Sequence, residues 1–487
     1  MALKKIKLQE TNNTKALSND NATLDDNNIE NFSKAIWGEN TNLNPLVTNF
    51  LSTIDSDYKL YPHTIESLKA QFKMHIKRGV ITEYEGKQLI DALDKVQKEL
   101  AEGKLDAQSS NSIYELIANR ISEIAPEAYR WYYVARSQSS QTAGDLKLWV
   151  RNAIDILDTS LQQLQSKLID RSEDTVKTIF PANSNAQLYQ PTSFGHHLLA
   201  YVEMFGRDRS RLKDARTRLN ESPYASGAIV GNSFNLNREM VARILSFDRA
   251  MQNSVDAVSS RDFIVEFLSA TSNNFVNLSR LAGEMISWHS SRNNYINFDS
   301  SLVEQSPILP YKRDQLALEA IRSKASKSIG ALMSVLSISK DLPLEPSRDY
   351  EEMLEVVSTS FEDLNSSLNT MALMVSSFTL NRKIMKESAS KNFSTAQDLV
   401  DWIVQKSGVD LIEAQNRARN IIDYAIEKGK KLSLLELAEI KKFEPAADED
   451  IYSVLIPSRA IIARRSGNGS NPVQIRKSIR AARRKYL

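Results

Sequence analysis

Apolar residues recur at every third or fourth position through most of this chain, which is the spacing of one face of an α-helix. Two such series lie between residues 32 and 107: Leu68, Phe72 and Ile76, then Ile90, Leu93, Val96 and Leu100. A glycine follows each series, and glycine just past the last turn is typical of a helix end. We therefore predict two helices that end near Gly79 and Gly103.

Four longer segments carry the same spacing with few prolines inside them: residues 137–170, 193–220, 261–288 and 315–340. Hardly any stretch of the chain alternates between apolar and polar residues, as an exposed strand would. The four segments are therefore typical of the rods of a long helix bundle. The predicted fold class is all-α, with three helical domains of which the central one is the long bundle.

The pattern divides the chain into four parts. Residues 1–31 are rich in Asn, Asp and Thr, and such a segment has too little apolar surface to offset its ordering entropy, so we predict a mobile tail. Residues 32–136 predict an N-terminal helical domain and residues 137–386 the central bundle. Residues 387–487 predict a C-terminal helical domain that ends in a basic helix.

Composition excludes several classes of function. The 487 residues include 62 basic and 60 acidic ones, and the net charge of +2 gives no field that would favour nucleic acid or an anionic membrane. The chain has no cysteine, and its five histidines lack metal-site spacing. It shows neither the apolar core of a signal peptide nor a stretch that could span a bilayer. We expect a cytoplasmic protein without metal or cofactor, whose basic segment 476–487 is a solvated helix face.

Candidate chemistry begins in segment 304–324, which reads E-Q-S-P-I-L-P-Y-K-R-D-Q-L-A-L-E-A-I-R-S-K. Pro307 and Pro310 exclude a helix in its first half, whereas helix-forming residues fill the second half. Ser306 and Lys312 therefore lie on a loop that leads into a helix, where backbone N–H groups can hold an anion. On spacing alone, a solvated connection is the commoner interpretation of such a loop.

This loop resembles the signature loop of the fumarase/aspartase superfamily, which reads roughly G-S-S-x-M-P-x-K-x-N-P. Ser306 falls on its first serine and Lys312 on its lysine. Four other runs resemble the argininosuccinate lyase family in particular: residues 194–212, 222–232, 253–263 and 457–469. Together these runs extend over nearly all of the chain after the tail. The resemblance implies the fumarase/aspartase-like helical fold.

The resemblance also implies a reaction, a β-elimination that breaks a C–N bond and releases fumarate without a cofactor. It gives Ser306 the role of base, with Lys312 stabilising its anion. Glu319 falls where the family keeps a glutamate that orients a histidine, but the histidine position holds Asn185 here. Asparagine donates hydrogen bonds and cannot carry a proton.

The resemblance assigns substrate binding to two loops, Arg136, Ser137, Gln138 and Ser139 in one and Ser184 and Gln187 in the other. Gln138 and Ser139 stand where the family has an arginine and an asparagine, and Ser184 stands where it has a threonine. Asp314 takes the place of the signature-loop asparagine, and Glu351 takes a glutamine position in the pocket for the arginine end of the family substrate. Each lost anion donor costs about a hundred- to a thousandfold in rate, so we do not expect cleavage of argininosuccinate.

Three hypotheses follow. The first, which we favour, is a lyase of the same mechanistic class that acts in either direction on a different N-substituted aspartate or fumarate-type carboxylate. The second is a catalytically degenerate relative that keeps the scaffold for assembly or regulation, and the third is argininosuccinate lyase itself. The resemblance further implies a homotetramer in which the loops at Arg136, Asn185 and Ser306 meet between chains.

Overall fold

The structure, a computed structural model, describes residues 44–185 and 187–487. The tail predicted at residues 1–31 and the beginning of the predicted N-terminal domain at residues 32–43 lie outside the described residues. Within the described ranges, the predicted all-α class is confirmed, since long helices dominate and the strands are short. Every helix in these ranges is too short or too polar to cross a lipid bilayer.

The N-terminal part contains the helices α1 (Pro45–Leu51), α2 (Ile54–Asp57), α3 (Tyr61–Lys77), α4 (Glu83–Ala101), α5 (Ile113–Ile124) and α6 (Pro126–Tyr129). Both predicted glycine ends are confirmed. Gly79 follows α3 with φ 69° and Gly103 follows α4 with φ 64°, a left-handed conformation that glycine adopts without a steric penalty. The Gly79 N–H donates to the Ile76 carbonyl at 3.0 Å, which satisfies one of the last carbonyls of α3.

The central part contains the longest helices: α7 (Gln138–Asp174), α8 (Phe194–Leu219), α9 (Arg238–Ile244), α10 (Ser254–Ser259), α11 (Asp262–His289), α12 (Leu316–Ser339) and α13 (Asp349–Ser377). At about 1.5 Å per residue, the 37 residues of α7 extend over about 55 Å. Helix α7 packs against α8 and α13, and α11 packs against α8, α12 and α13. These contacts form one long bundle.

The C-terminal part contains α14 (Arg382–Ser388), α15 (Ala396–Ser407), α16 (Leu411–Glu427), α17 (Leu437–Ile440), α18 (Tyr452–Leu455), α19 (Pro457–Ala463) and α20 (Pro472–Tyr486). Single turns of 3-10 helix occur at Tyr58–Leu60, Ala107–Ser109, Ser300–Leu302, Leu432–Leu434 and Glu449–Ile451. The last helix, α20, returns to pack against α7 and α8.

Short strands connect the helices: β1 (Ile179–Ser184), β2 (Gln187–Ser193), β3 (Glu221–Ser222), β4 (Arg249–Ala250), β5 (Ile296–Asn297), β6 (Glu304–Gln305), β7 (Arg313–Asp314) and β8 (Thr379–Leu380). Strands β1 and β2 form an antiparallel hairpin, as do β6 and β7. These strands were not predicted from the sequence. Most of them span two residues, and even β1 and β2 are too short to show a clear alternation of apolar and polar residues.

The four predicted rods are confirmed as α7, α8, α11 and α12. Their observed ends lie within one residue of the predicted ends, except that α7 continues to Asp174. Helix α13 was not among the predicted rods, although it is the second longest helix of the bundle, with 29 residues.

Buried apolar side chains form three large clusters. One holds the N-terminal helices together and includes Phe72 and Leu93, and the largest runs along the bundle and includes Phe205 and Phe267. The third lies in the C-terminal part around Leu399. Each of these five side chains is fully buried, so each helical part has its own hydrophobic interior.

A buried carboxylate joins the N-terminal helices to the bundle. Asp145 on α7 is fully buried and accepts hydrogen bonds from Thr64 Oγ1 at 2.7 Å and Ser67 Oγ at 2.8 Å, both on α3. Gln141 Nε2 on α7 donates at 2.8 Å, and the hydroxyl of Tyr224, on the segment after α8, donates at 2.6 Å. Burial raises the pKa of Asp145, and the four donors oppose that shift. The network fixes how α3, α7 and the Tyr224 segment meet.

The tight approach of Tyr224 to Gly144 can be tested by adding one methyl group. A Cβ at Gly144 would lie 2.3 Å from the ring of Tyr224, which is fully buried and tethered to Asp145. We expect Gly144→Ala to lower the free energy of unfolding by about 1–3 kcal/mol, because such overpacking is strained. The matched control Gly283→Ala, in a helix with no atom within 4 Å of the new Cβ, should be neutral or stabilising by about 1 kcal/mol. Equal effects of the two substitutions in urea unfolding would contradict this account.

Candidate active site

A cavity of about 460 Å³ lies where the N-terminal helices meet the bundle. Its lining combines acidic, basic and aromatic side chains, among them Asp57, Tyr114, Tyr132, Arg136, Arg348 and Glu351. These residues come from α2, α5, the segment before α7 and the beginning of α13. The cavity therefore depends on the packing of four separate stretches of chain.

Three carboxyl groups line this cavity, those of Asp57, Glu115 and Glu351, and two of them have raised pKa values. Asp57 is 5% exposed and accepts hydrogen bonds from Thr53 Oγ1 at 2.7 Å and from the Ile113 N–H at 2.9 Å. Burial raises the pKa of Asp57 to about 6, and the nearby charge of Glu351 also raises it. Burial likewise raises the pKa of Glu351. The two groups form an acidic wall that favours a cationic ligand.

The Glu351 carboxylate has spare hydrogen-bonding capacity. Its Oε2 atom is buried without a hydrogen bond, although Arg348 Nη1 lies 3.3 Å away. The same Arg348 donates through Nη2 to the Leu51 carbonyl, so its guanidinium is shared between two partners. A buried carboxylate oxygen in this state can accept a hydrogen bond from a bound ligand.

Arg136 adds a cation to the cavity lining. Its Nη1 donates to the Tyr132 carbonyl at 2.7 Å, and its Nη2 donates to Gln141 Oε1 at 3.4 Å. The guanidinium lies 4.5 Å from the centre of the Tyr132 ring. Because Gln141 also donates to Asp145, the buried carboxylate helps to orient Arg136.

The residues that follow Arg136 begin α7. Ser137 is the N-cap residue of α7, and Gln138 and Ser139 occupy its first turn. The first N–H groups of a helix lack partners within the helix and carry a partial positive charge, which suits a carboxylate ligand. Of the predicted binding residues, Arg136 and Gln138 line the cavity.

A second group of predicted residues lies on the turn of the β1–β2 hairpin. Ser184 pairs with Gln187 at the end of the hairpin, and Asn185 between them has a φ of 50°. Asparagine tolerates this left-handed conformation better than most residues. All three side chains are exposed, so they project from the protein surface of a single chain.

The β6–β7 hairpin carries Ser306 and Lys312. The Ser306 N–H donates to the Lys312 carbonyl at 3.0 Å, and Ser306 Oγ accepts from the Leu309 N–H at 3.2 Å. Lys312 Nζ lies 2.9 Å from a carboxylate oxygen of Asp314. The turn between them is held by a bond of 2.9 Å from Gln305 Nε2 to the Pro310 carbonyl. Serine and lysine thus belong to one small, internally bonded hairpin.

The single chain keeps these groups apart from the cavity. Asn185, Ser306 and Lys312 do not line it, and neither does Glu319, which is exposed in the first turn of α12. Within one chain, Arg136 and Gln138 line the same cavity, and Ser306 and Lys312 belong to the same hairpin. No three His, Asp or Glu side chains in the described ranges are grouped so that they could hold a metal ion.

Comparison with known proteins identifies the family. A family model described as lyase matches residues 40–330, and one described as argininosuccinate lyase C-terminal matches residues 393–462. The chain is 34% identical over 451 residues to an argininosuccinate lyase of Chelativorans sp. (strain BNC1), covering 92% of this chain and 95% of that protein. The chain belongs to the argininosuccinate lyase family. The resemblance inferred from the sequence is thereby confirmed.

Solved structures from the wider fumarase/aspartase superfamily have a fold similar to that of this chain. EDDS lyase in complex with formate has a TM-score of 0.79 at 22% identity, covering 90% of this chain and 87% of that chain. Class II fumarase from Schistosoma mansoni has a TM-score of 0.71 at 15% identity, covering 86% of this chain and 93% of that chain. At these identities the likeness shows a shared fold.

The sequence predicted only part of the cavity in this argininosuccinate lyase family member. Glu351 was predicted only as a changed position, and Thr53, Asp57 and Arg348 were not predicted as cavity residues. The only local signal was the four-residue spacing of Thr53 and Asp57, which places them on one face of a short helix. The meeting of Asp57 with Glu351 depends on contacts between segments nearly 300 residues apart.

The raised pKa of Asp57 predicts a dependence of stability on pH. Since its pKa is about 6 in the folded chain against 3.8 ordinarily, folding takes up a proton between about pH 4 and about pH 6. The free energy of unfolding should therefore fall as pH rises through that window, by up to about 3 kcal/mol from this group. Asp57→Asn removes the titration and keeps the shape, so urea unfolding of this variant should show a shallower fall. Parallel pH profiles for the two proteins would refute the assignment.

Proposed function

We propose that this protein is a C–N lyase that eliminates an amine from an N-substituted aspartate and releases fumarate, or runs the reverse addition. In the elimination, a base removes a proton from the carbon next to the one bearing nitrogen, and that electron pair forms the new double bond. The C–N bond breaks, its electrons remain on nitrogen, and a proton neutralises the leaving amine. Such a reaction needs a base and strong donors for the carboxylate that gathers charge.

The observation that carries the proposal is the arrangement of Ser306 and Lys312 within one bonded hairpin. The Leu309 N–H already donates to Ser306 Oγ, and such a donor would stabilise a serine anion. The Lys312 ammonium, on the same hairpin, would add a positive charge. We assign Ser306 as the base and Lys312 as the group that stabilises anionic charge.

The remaining predicted residues would bind and position the substrate. The guanidinium of Arg136 and the first turn of α7, with Ser137, Gln138 and Ser139, offer donors for a carboxylate. On the other hairpin, Ser184, Asn185 and Gln187 offer neutral hydrogen-bonding groups. Glu319, at the beginning of α12, would position a neighbouring catalytic group.

The acidic wall of the cavity supports a substrate class. Asp57 and the spare Oε2 atom of Glu351 favour a leaving amine that carries a second positively charged nitrogen. Arg348 and Arg136 leave room for a carboxylate of the same substrate. We therefore propose an N-substituted aspartate with an aminoalkyl group in preference to argininosuccinate, because Glu351 and Asp314 change the charge at two family positions.

Complete sites would require more than one chain, since the hairpins of Asn185 and Ser306 lie apart from the cavity. We propose a homotetramer, and one face of α12 supports assembly. Ile329, Met333 and Leu336 recur at helical spacing on this face and are 47%, 58% and 42% exposed. Apolar side chains in such a row usually contact a partner.

A degenerate scaffold is the second candidate, and the Lys312–Asp314 ion pair favours it. The carboxylate of Asp314 neutralises the ammonium that the reaction needs, and Asn185 cannot carry a proton. In this case the fold would serve assembly or regulation alone.

Activity decides between these candidates. Purified protein should release fumarate, followed by its ultraviolet absorbance, from N-(2-aminoethyl)aspartate faster than from argininosuccinate. Ser306→Ala should lower kcat by about a thousandfold, because it removes the base. Ser301→Ala, an exposed serine on the preceding turn, is the matched control and should retain activity. Absence of turnover on any N-substituted aspartate would favour the scaffold, whereas faster turnover of argininosuccinate would favour the ordinary family reaction.

Assembly is tested separately by placing a charge on the α12 face. Met333→Glu should convert the tetramer to smaller species in light scattering, because a carboxylate would be buried at the contact. Leu434→Glu, at an apolar residue that is 65% exposed in the C-terminal part, should leave the mass unchanged. A wild-type monomer at working concentration would argue against shared sites.

A further inference from the structure

A groove that shares no lining residue with the candidate active-site cavity lies between the β1–β2 hairpin and the last helix. It has a volume of about 1260 Å³. One wall is α20, and the other consists of β2, the first turns of α8 and the loop around Asn468. The basic segment 476–487, for which the sequence predicted a solvated helix face, therefore borders a concave surface.

The cations of α20 divide between two faces. On the face that docks against the bundle, Arg483 contacts Asp170 at 2.9 Å and Glu173 at 2.7 Å. The hydroxyl of Tyr486 donates to Glu203 at 2.7 Å, and Lys485 lies 3.6 Å from the same carboxylate. These contacts attach α20 to the bundle and neutralise the charges on that face.

The face that borders the groove keeps its charge. Lys477, Arg480, Arg484 and Lys485 line the groove, and the first three have no acidic partner within the described part of the chain. The only acidic residue among the groove-lining side chains, Glu203, is already engaged by Tyr486 and Lys485. With a helical rise of about 1.5 Å per residue, Lys477 and Arg484 are separated by about 10 Å along α20. Three unpaired positive charges thus form a row.

The opposite wall supplies polar groups, among them an arginine that is paired with an aspartate. Arg464 holds Asp398 through two bonds of 2.8 and 2.9 Å and donates to the Pro191 carbonyl at 2.7 Å, so its position is set. His196 is held between Thr192 Oγ1 and the Asn468 carbonyl, both at 3.2 Å. A row of free cations facing a rigid polar wall differs from an ordinary solvated helix face.

We propose that this groove binds a small, extended polyanion that carries two or more phosphate groups. Arginine guanidinium groups match phosphate oxygens in a bidentate manner, and several phosphates are needed to balance a row of cations about 10 Å long. A nucleic acid strand is a poorer match, because no Phe, Tyr or Trp among residues 44–185 and 187–487 lines the groove to stack on bases. A membrane is also a poorer match, since the surface is concave.

Calorimetric titration of the full-length protein with inorganic tripolyphosphate tests the proposal. We expect binding that weakens with added salt, because the cations are exposed. Each exposed cation removed should weaken binding by about fivefold. The double substitution of Arg480→Gln and Arg484→Gln should therefore weaken binding by more than about tenfold. Lys477→Gln alone should weaken it by about fivefold.

Arg476→Gln is the matched control, because Arg476 is an exposed cation of the same helix that lies outside the groove lining. It should leave tripolyphosphate binding unchanged, and an unchanged Tm of each variant would show that folding is intact. Absence of binding to the wild type, or an equal loss in Arg476→Gln, would overturn the proposal. Tighter binding of citrate, of a single-stranded oligonucleotide or of phosphatidylserine vesicles would also overturn it, in favour of that ligand.

Discussion

The buried carboxylate of Asp145 is the interaction on which the arrangement of this protein depends. A charged group in an interior is costly unless donors surround it, and here the donors come from α3, from α7 itself and from Tyr224. A shift of α3 against α7 would remove two of these donors, Thr64 and Ser67. The N-terminal helices therefore have one position against the bundle, and the cavity between them has one shape.

The same network extends to the surface of the cavity. Gln141, which donates to Asp145, also accepts from Arg136, so the guanidinium that faces the cavity is oriented from behind. Asp57, which also lines the cavity, is held by Thr53 and the backbone of α5. Cations and carboxyl groups in one lining suit a ligand that carries both signs of charge.

Reactive groups and binding groups are separated along the chain. The Ser306–Lys312 hairpin carries its own hydrogen bonds, so its geometry does not depend on the cavity. The groove beside α20 is independent of both, since its charges come from a helix whose other face is occupied in docking. The chain thus holds three polar surfaces, the cavity, the Ser306–Lys312 hairpin and the groove, around one long bundle.

The sequence by itself determined the all-α class, the ends of the four predicted rods apart from the C-terminal end of α7, the glycine caps and the family. These features follow from contacts between residues three or four positions apart and from motifs read in order, so they need no knowledge of distant neighbours. The tertiary structure alone decided that Asp57 meets Glu351, that Asp314 pairs with Lys312, and which cations of α20 remain free. Asp57 and Glu351 are 294 residues apart, and even Lys312 and Asp314, two residues apart, meet only because the hairpin brings their side chains together. A charge becomes a binding group only when packing decides what surrounds it.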